Sequence, residues 1–151
     1  MAELKERLRA DLNAAMRARD QVRMRTLRLA LTSITNEEVA GASARDLTDD
    51  EVVRVLTREA RKRREAAEAF GAAGRSDQAA AERAEGEILA GYLPAQLSDD
   101  ELAALVDAAI AETGASGPSG LGQVMKTVTP RIAGRADGAR VAAEVRRRLS
   151  S

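Results

Sequence analysis

The segment GYLPAQLSDDE, residues 91–101, separates two stretches of helical pattern and decides how the chain is organised. Pro94 disfavours helical backbone at the residue before it, so the preceding helix must end by Tyr92 or Leu93. Ser98-Asp99-Asp100-Glu101 then has the Ser-x-x-Glu spacing of a capping box, which marks the start of a new helix. The segment therefore predicts a junction between two helical subdomains, with Tyr92, Leu93 and Pro94 as its hinge.

The N-terminal subdomain, residues 1–94, has the apolar spacing of about four helices. Asp20 is the predicted N-cap of the second helix. Thr48-Asp49-Asp50-Glu51 is a second capping box, and it starts the third helix. The residues predicted to face inward are Leu4, Leu8, Leu12 and Ala15, then Met24, Leu27, Leu31 and Ile34, then Val52, Leu56, Ala67 and Phe70, and finally Ala81, Ile88 and Tyr92.

The C-terminal subdomain, residues 95–151, has the pattern of a small three-helix unit. Its first helix follows the Ser98 capping box, a short second helix is predicted to end at Pro130, and Asp137 is the predicted cap of the third. Its predicted inner faces carry Leu102, Leu105, Val106 and Ala109, then Leu121, Val124, Met125 and Val128, then Val141, Val145 and Leu149.

Composition supports an all-α fold and excludes several kinds of active site. Phe70 and Tyr92 are the only aromatic residues, whereas the helix formers Ala, Leu, Glu and Arg are abundant. Without cysteine or histidine the chain can have no disulfide, thiolate metal site or imidazole base. No signal peptide or membrane-spanning run is recognised, so we expect a cytoplasmic protein without a cofactor, metal or membrane partner.

The formal net charge is zero, with 24 basic and 24 acidic side chains, but the charge is unevenly spread. Residues 1–28 hold eight basic and four acidic side chains, and residues 126–148 hold seven basic against two acidic. The second stretch is either a phosphate-binding face or a solvated surface whose arginines favour the C-terminus of the last helix. The candidate nucleic-acid contacts are Lys126, Arg131, Arg135, Arg140 and Arg147.

Two short segments have specific alternatives. In the turn from Gly134 to Gly138, Arg135 either joins the N-terminus of the last helix in an anion site or pairs with Asp137 to fix the turn. The basic run at residues 58–64 is interpreted as helix-surface electrostatics, because most of its cations find a carboxylate one turn away. The expected pairs are Arg61 with Glu65, Arg64 with Glu68, and Glu59 with Arg63.

Seven segments, taken in order, resemble the GatB/YqeY family, and in particular its stand-alone YqeY type. They are Leu27-Arg28-Leu29, Asn36-Glu37-Glu38, Arg61-Lys62-Arg63-Arg64-Glu65, Ala73-Gly74-Arg75-Ser76-Asp77, Tyr92-Leu93-Pro94-Ala95-Gln96-Leu97-Ser98, Gly122-Gln123-Val124-Met125 and Gly134-Arg135-Ala136-Asp137-Gly138. Two positions depart from the family pattern. Many relatives have lysine at Gln123 and at Thr35, so this chain lacks two of the family's positive charges.

The resemblance implies three functions. The GatB protein of the glutamine-dependent tRNA amidotransferase has a similar helical tail that contacts tRNA, so the leading hypothesis is a tRNA-binding accessory module of weak to moderate affinity, without an active site of its own. The alternative is an adaptor that docks on an amidotransferase or an aminoacyl-tRNA synthetase. A third function is a carbon–nitrogen ligase with glutamine as amido donor, although no ATP or Mg²⁺ site for activating a carboxylate is recognised in the sequence.

Overall fold

The computed structural model describes residues 2–150 and confirms the all-helical class. Within this range the chain forms seven α-helices and one short 3₁₀ helix, and no strand. The helices fall into two compact units, one that ends at Leu93 and one that begins at Pro94. The boundary predicted from the sequence lay one residue further along.

Unit 1 contains four helices whose apolar faces surround one core. They are α1 (Glu3–Ala18), α2 (Gln21–Val39), α3 (Asp49–Ala72) and α4 (Ser76–Ala90). The two predicted helix starts are confirmed. The Asp20 side chain accepts a hydrogen bond from the Arg23 amide at 3.1 Å, and the capping box of Thr48 and Glu51 is fully formed. The core is built from Leu8, Leu27, Ala30, Ile34, Leu47, Val52, Val55, Leu56, Leu89 and Tyr92, together with Ala2.

Unit 2 contains α5 (Asp99–Thr113), the 3₁₀ helix Pro118–Gly120, α6 (Leu121–Ile132) and α7 (Gly138–Leu149). The capping box of Ser98 and Glu101 is formed as predicted. These helices enclose a separate core that includes Leu102, Val106, Ala109, Val124, Val128, Val141, Val145 and Leu149.

The predicted end of α6 at Pro130 is wrong, because the helix continues through the proline to Ile132. A proline removes one backbone donor, but its own φ angle is compatible with a helix. Pro130 lies in the last turn of α6, and burial of the later residue Ile132 in the core of unit 2 offsets the lost hydrogen bond. The last residue of the helix is Ile132, and the C-cap residue Ala133 that follows adopts a left-handed conformation with φ 50°.

The predicted inner face of α4 is also partly wrong. Ala81 is exposed, and the buried positions of this helix are Ala79, Glu85 and Leu89. Glu85 points inward because two arginines meet it there. Arg25 Nε lies 2.8 Å from its Oε1, and Arg63 Nη1 lies 3.5 Å from its Oε2.

Arg63 is the centre of a polar cluster that joins α3 to α4. Its Nη2 donates to Glu59 Oε2 at 3.4 Å, which confirms the predicted pair, and its Nη1 lies 3.5 Å from Glu82 Oε2. Ser33 from α2 also donates to Glu59, at 2.9 Å. The predicted pair of Arg61 and Glu65 is present at 3.8 Å, and that of Arg64 with Glu68 stays a prediction.

The second buried polar contact of unit 1 was not foreseen from the sequence. Lys5 Nζ donates to both carboxylate oxygens of Glu38 at 2.8 Å, and both side chains are nearly enclosed. The Leu47 amide also lies within hydrogen-bonding distance of Glu38, at 3.4 Å. The pair therefore fastens the start of α1 to the end of α2 and to the loop that follows it.

None of the helices within residues 2–150 combines the length and the apolar character needed to cross a membrane.

Candidate nucleic-acid interface

The candidate residues all lie in unit 2, which is electrically balanced as a whole. Residues 94–151 contain seven basic and seven acidic side chains. Attraction of phosphates by this unit therefore depends on which cations are already paired, rather than on a general positive field.

The turn between α6 and α7 is built around the caps of the two helices. Gly134 has φ 79°, a conformation that favours glycine, and it allows the chain to reverse directly after α6. Asp137 is buried, and its side chain accepts a hydrogen bond from the Ala139 amide at 2.9 Å, which confirms it as the cap of α7. The turn is thus held rigidly at the N-terminus of α7.

Arg135 ties this turn to the chain segment that precedes α5. Its Nε donates to the Ala95 carbonyl at 3.0 Å, and its Nη2 lies 3.8 Å from Glu101 Oε2. Its own carbonyl accepts from the Leu97 amide at 2.8 Å. The main hydrogen bond of the side chain therefore goes to Ala95, a contact that neither of the two sequence alternatives had anticipated.

Arg140 and Arg131 form exposed ion pairs. Arg140 Nη2 lies 2.8 Å from Asp99 Oδ1, and the Asp99 side chain is 97% exposed. Arg131 pairs with Glu112, whose side chain is more than half exposed. The hydrogen bond from Arg131 lowers the pKa of Glu112. Exposed pairs of this kind contribute little to stability, so each arginine can exchange its carboxylate for a phosphate at low cost.

Arg147 is held more firmly than the other candidates. It donates to Glu144 through Nε at 3.1 Å and through Nη2 at 2.8 Å, and Arg148 Nε donates to the same carboxylate at 3.0 Å. The hydrogen bonds from Arg147 and Arg148 lower the pKa of Glu144, whose side chain is only 15% exposed. Arg147 is therefore better suited to stabilising α7 than to binding a ligand.

Lys126 is the one candidate without a hydrogen bond or ion pair to any residue from 2 to 150. It lies exposed on α6, between the buried Val124 and Val128. Arg146 on α7 is likewise exposed and unpaired among the described residues, and it was not among the five candidates. Its position in the Arg146-Arg147-Arg148 run was visible in the sequence, but nothing there indicated which of the three would remain unpaired.

These contacts divide the candidates by how readily they could meet an anion. Lys126 is available, Arg131, Arg135 and Arg140 have exposed or long-range partners, and Arg147 is committed to Glu144. Arg135 and Arg140 are close to acidic side chains at the start of α5, Glu101 and Asp99, so a phosphate there would have to displace or avoid those carboxylates. No group of three or more acidic side chains within residues 2–150 is placed to hold a metal ion.

The fold and this surface define a two-unit helical protein with a small C-terminal three-helix unit that presents Lys126 and several weakly paired arginines. The chain belongs to the Yqey-like protein family, whose model matches residues 5–149 and therefore spans both units. No curated protein matches the chain.

Proposed function

We propose that this protein is an accessory module that binds tRNA, related to the tail of the GatB protein of the glutamine-dependent amidotransferase. Membership of the Yqey-like family supports the general role. The single observation that carries the assignment to unit 2 is that Lys126 has no partner within the described range, while Arg140 holds only an almost fully exposed one.

The contacts expected from such a surface are to the phosphate backbone. Arginine and lysine recognise phosphates without reading sequence, whereas single-stranded bases are usually recognised by stacking on aromatic rings. Tyr92 is buried in the other unit, and unit 2 has no aromatic residue. Binding through about three phosphates should be of weak to moderate affinity and should weaken steeply with salt.

A filter-binding assay with total tRNA at low salt tests the proposal. Lys126→Ala breaks no described contact, so its effect reports charge alone. Arg140→Ala removes one exposed ion pair and is expected to leave the fold intact. Arg54→Ala/Arg83→Ala is the control that removes the same charge as a variant of both Lys126 and Arg140, because Arg54 and Arg83 are exposed cations on α3 and α4 of unit 1.

We expect the Lys126→Ala/Arg140→Ala double variant to bind tRNA on the order of tenfold more weakly than the wild type at low salt. The Arg54→Ala/Arg83→Ala control should bind as the wild type does. Equal affinity of the double variant and the control would reject the assignment to unit 2. Absence of tRNA binding by the wild-type chain would reject the function itself.

The second candidate is an adaptor that docks on an amidotransferase or an aminoacyl-tRNA synthetase. It is favoured by four exposed apolar side chains in unit 1, which are Met16, Val22, Leu29 and Val39. An adaptor should co-purify with such an enzyme after ribonuclease treatment, and Leu29→Ser should weaken that association. Loss of the association on ribonuclease treatment would instead favour the tRNA-binding role.

A further inference from the structure

The corner between α1 and α2 in unit 1, residues 16–29, has a local excess of positive charge. It contains five arginines and one acidic residue, Asp20. Arg25 is paired with Glu85 at 2.8 Å, and Arg23 lies 3.7 Å from Asp20. The side chains of the remaining arginines form no hydrogen bond or ion pair with any part of the chain that the structure describes, and all three are exposed: Arg17, Arg19 and Arg28.

The carboxylates nearby in the sequence are already engaged. Asp20 caps α2 through the Arg23 amide at 3.1 Å. Asp11 accepts from the Tyr92 hydroxyl at 2.6 Å, and Glu6 pairs with Arg9 at 3.0 Å. With one carboxylate among five arginines, the positive charge of residues 16–29 is only partly compensated, whereas unit 2 as a whole is balanced.

The backbone fixes the relative positions of these three cations. Arg19 is in a left-handed conformation with φ 58°, and its amide donates to the Met16 carbonyl at 3.2 Å. The connection from α1, which ends at Ala18, to α2, which begins at Gln21, is therefore tight. Arg28 follows about two turns into α2, roughly 10 Å along the helix from Gln21. The backbone therefore spaces the three arginines over a stretch long enough to contact more than one phosphate.

We infer that the α1–α2 corner is a second contact surface for an RNA phosphate backbone, with Arg17, Arg19 and Arg28 as the residues that bind the phosphates. An unpaired arginine binds a phosphate without first giving up a carboxylate, and its planar donors match two phosphate oxygens. The corner therefore has the stronger electrostatic reason to bind RNA, although the candidates from the sequence lie in unit 2. This inference rests on the proposed function for the identity of the ligand, but it uses different residues.

An acidic protein segment is the competing ligand for the same surface. Recognition of an amphipathic helix needs a continuous apolar groove. At the corner the exposed apolar side chains are Met16 on α1 and, two turns apart on α2, Val22 and Leu29. These apolar residues are separated by arginines and form no continuous groove for such a helix. The three unpaired cations match a backbone of regularly spaced phosphates better.

The test measures the affinity of the full chain for total tRNA at several salt concentrations. Three variants are compared with the wild type: the corner triple variant Arg17→Ala/Arg19→Ala/Arg28→Ala, the Lys126→Ala/Arg140→Ala double variant, and the control Arg54→Ala/Arg75→Ala/Arg83→Ala. The control removes the same charge from exposed arginines of α3 and α4 and their connection, where acidic residues alternate with them. Far-ultraviolet circular dichroism checks that each variant is folded.

The slope of log affinity against log salt is negative, and we expect it to be shallower by about two to three in the corner variant. Binding of tRNA by this variant at low salt should be at least tenfold weaker than that of the wild type, and the control should bind nearly as the wild type does. A corner variant with the same affinity for tRNA as the control overturns the inference, and the proposed function stands if the double variant then binds tRNA weakly. Weaker tRNA binding in the corner variant, with unchanged binding in the double variant, supports the inference and rejects the unit 2 site. A wild-type chain that binds poly-glutamate but not tRNA overturns the RNA assignment in favour of an acidic protein segment.

Discussion

The hydroxyl of Tyr92 donates a hydrogen bond to Asp11 Oδ2 at 2.6 Å and thereby joins the segment after α4 to the middle of α1. The guanidinium of Arg7 lies over the Tyr92 ring, 4.7 Å from its centre, in cation–π geometry. The side chain is buried in the core of unit 1. These contacts make Tyr92 a packing residue of unit 1.

Burial, together with the hydrogen bond and charge of Asp11, raises the pKa of Tyr92 to about 12, from an ordinary value of 10.0. A raised pKa means that the contact stabilises unit 1 fully below pH about 10 and that this stability is lost as the pH rises towards 12. Asp11→Asn should therefore move the midpoint of tyrosinate absorbance part of the way from 12 to 10. Because Tyr92 is the only tyrosine, the signal is unambiguous. An unchanged midpoint in the variant would show that burial alone controls the pKa.

The buried pair of Lys5 and Glu38 should be sensitive to the loss of either partner. Glu38→Gln leaves the Lys5 ammonium, whose side chain is only 6% exposed, without its counter-charge, and we expect a loss of about 3 kcal/mol in the free energy of unfolding. The double change Lys5→Met/Glu38→Leu should recover most of this loss, because no buried charge remains. Urea denaturation followed by circular dichroism measures both. A single variant as stable as the wild type would mean that the pair is solvated in solution.

Acid should destabilise the protein through several glutamates. The pKa of Glu38 is lowered mainly by the hydrogen bond from Lys5, and that of Glu101 by its hydrogen bonds with the amide and hydroxyl of Ser98. Arg45 and then Thr48 lower the pKa of Glu51 to about 2.

A lowered folded-state pKa gives stability that is present above the unfolded value of about 4.5 and is lost as the pH falls through the folded value. The urea midpoint should therefore be constant from pH 7 to about 5 and should decrease from about 4.5 towards 2. Glu38→Gln should flatten part of this decrease. A midpoint that does not change between pH 7 and 3 would contradict these pKa shifts.

The cap of α7 should contribute measurably to unit 2. Asp137→Ala removes the acceptor of the Ala139 amide, and capping substitutions of this type cost about 1 kcal/mol. Asp137→Asn keeps an acceptor and should lose much less. Hydrogen exchange of the α7 amides is the appropriate measurement, since it reports the opening of this helix directly. Equal protection in the Ala and Asn variants would show that the cap does not limit that opening.

The helix starts could be read from the sequence because the signals are local. A capping residue and the amide that it binds are at most three positions apart, as with Asp20, Thr48, Ser98 and Asp137. The all-helical class followed from spacing and composition for the same reason. The end of α6 was missed because the contacts of Ile132 outweigh the local effect of Pro130.

Whether each cation is paired with a carboxylate could not be predicted from the sequence in the same way. Arg140 meets Asp99 at a separation of 41 positions, and Arg25 meets Glu85 at a separation of 60. Pairs within one helix, such as Arg61 with Glu65, were predictable, whereas pairs between helices depend on the packing of the unit. The sequence therefore did not show that Arg131, Arg140 and Arg147 of the basic stretch are paired. It also did not show that the side chains of Arg17, Arg19 and Arg28 at the α1–α2 corner have no partner among the described residues.

The most direct test of RNA binding by unit 2 is a nuclear magnetic resonance titration of the isotope-labelled full chain with total tRNA at low salt. Amide signals of Lys126 and of the turn at residues 134–140 should shift or broaden, and the change should reverse on addition of salt. Signals of the α3–α4 hairpin provide the internal reference. Unit 2 signals that stay unchanged at a tRNA concentration that saturates binding in the filter assay would contradict the proposed interface.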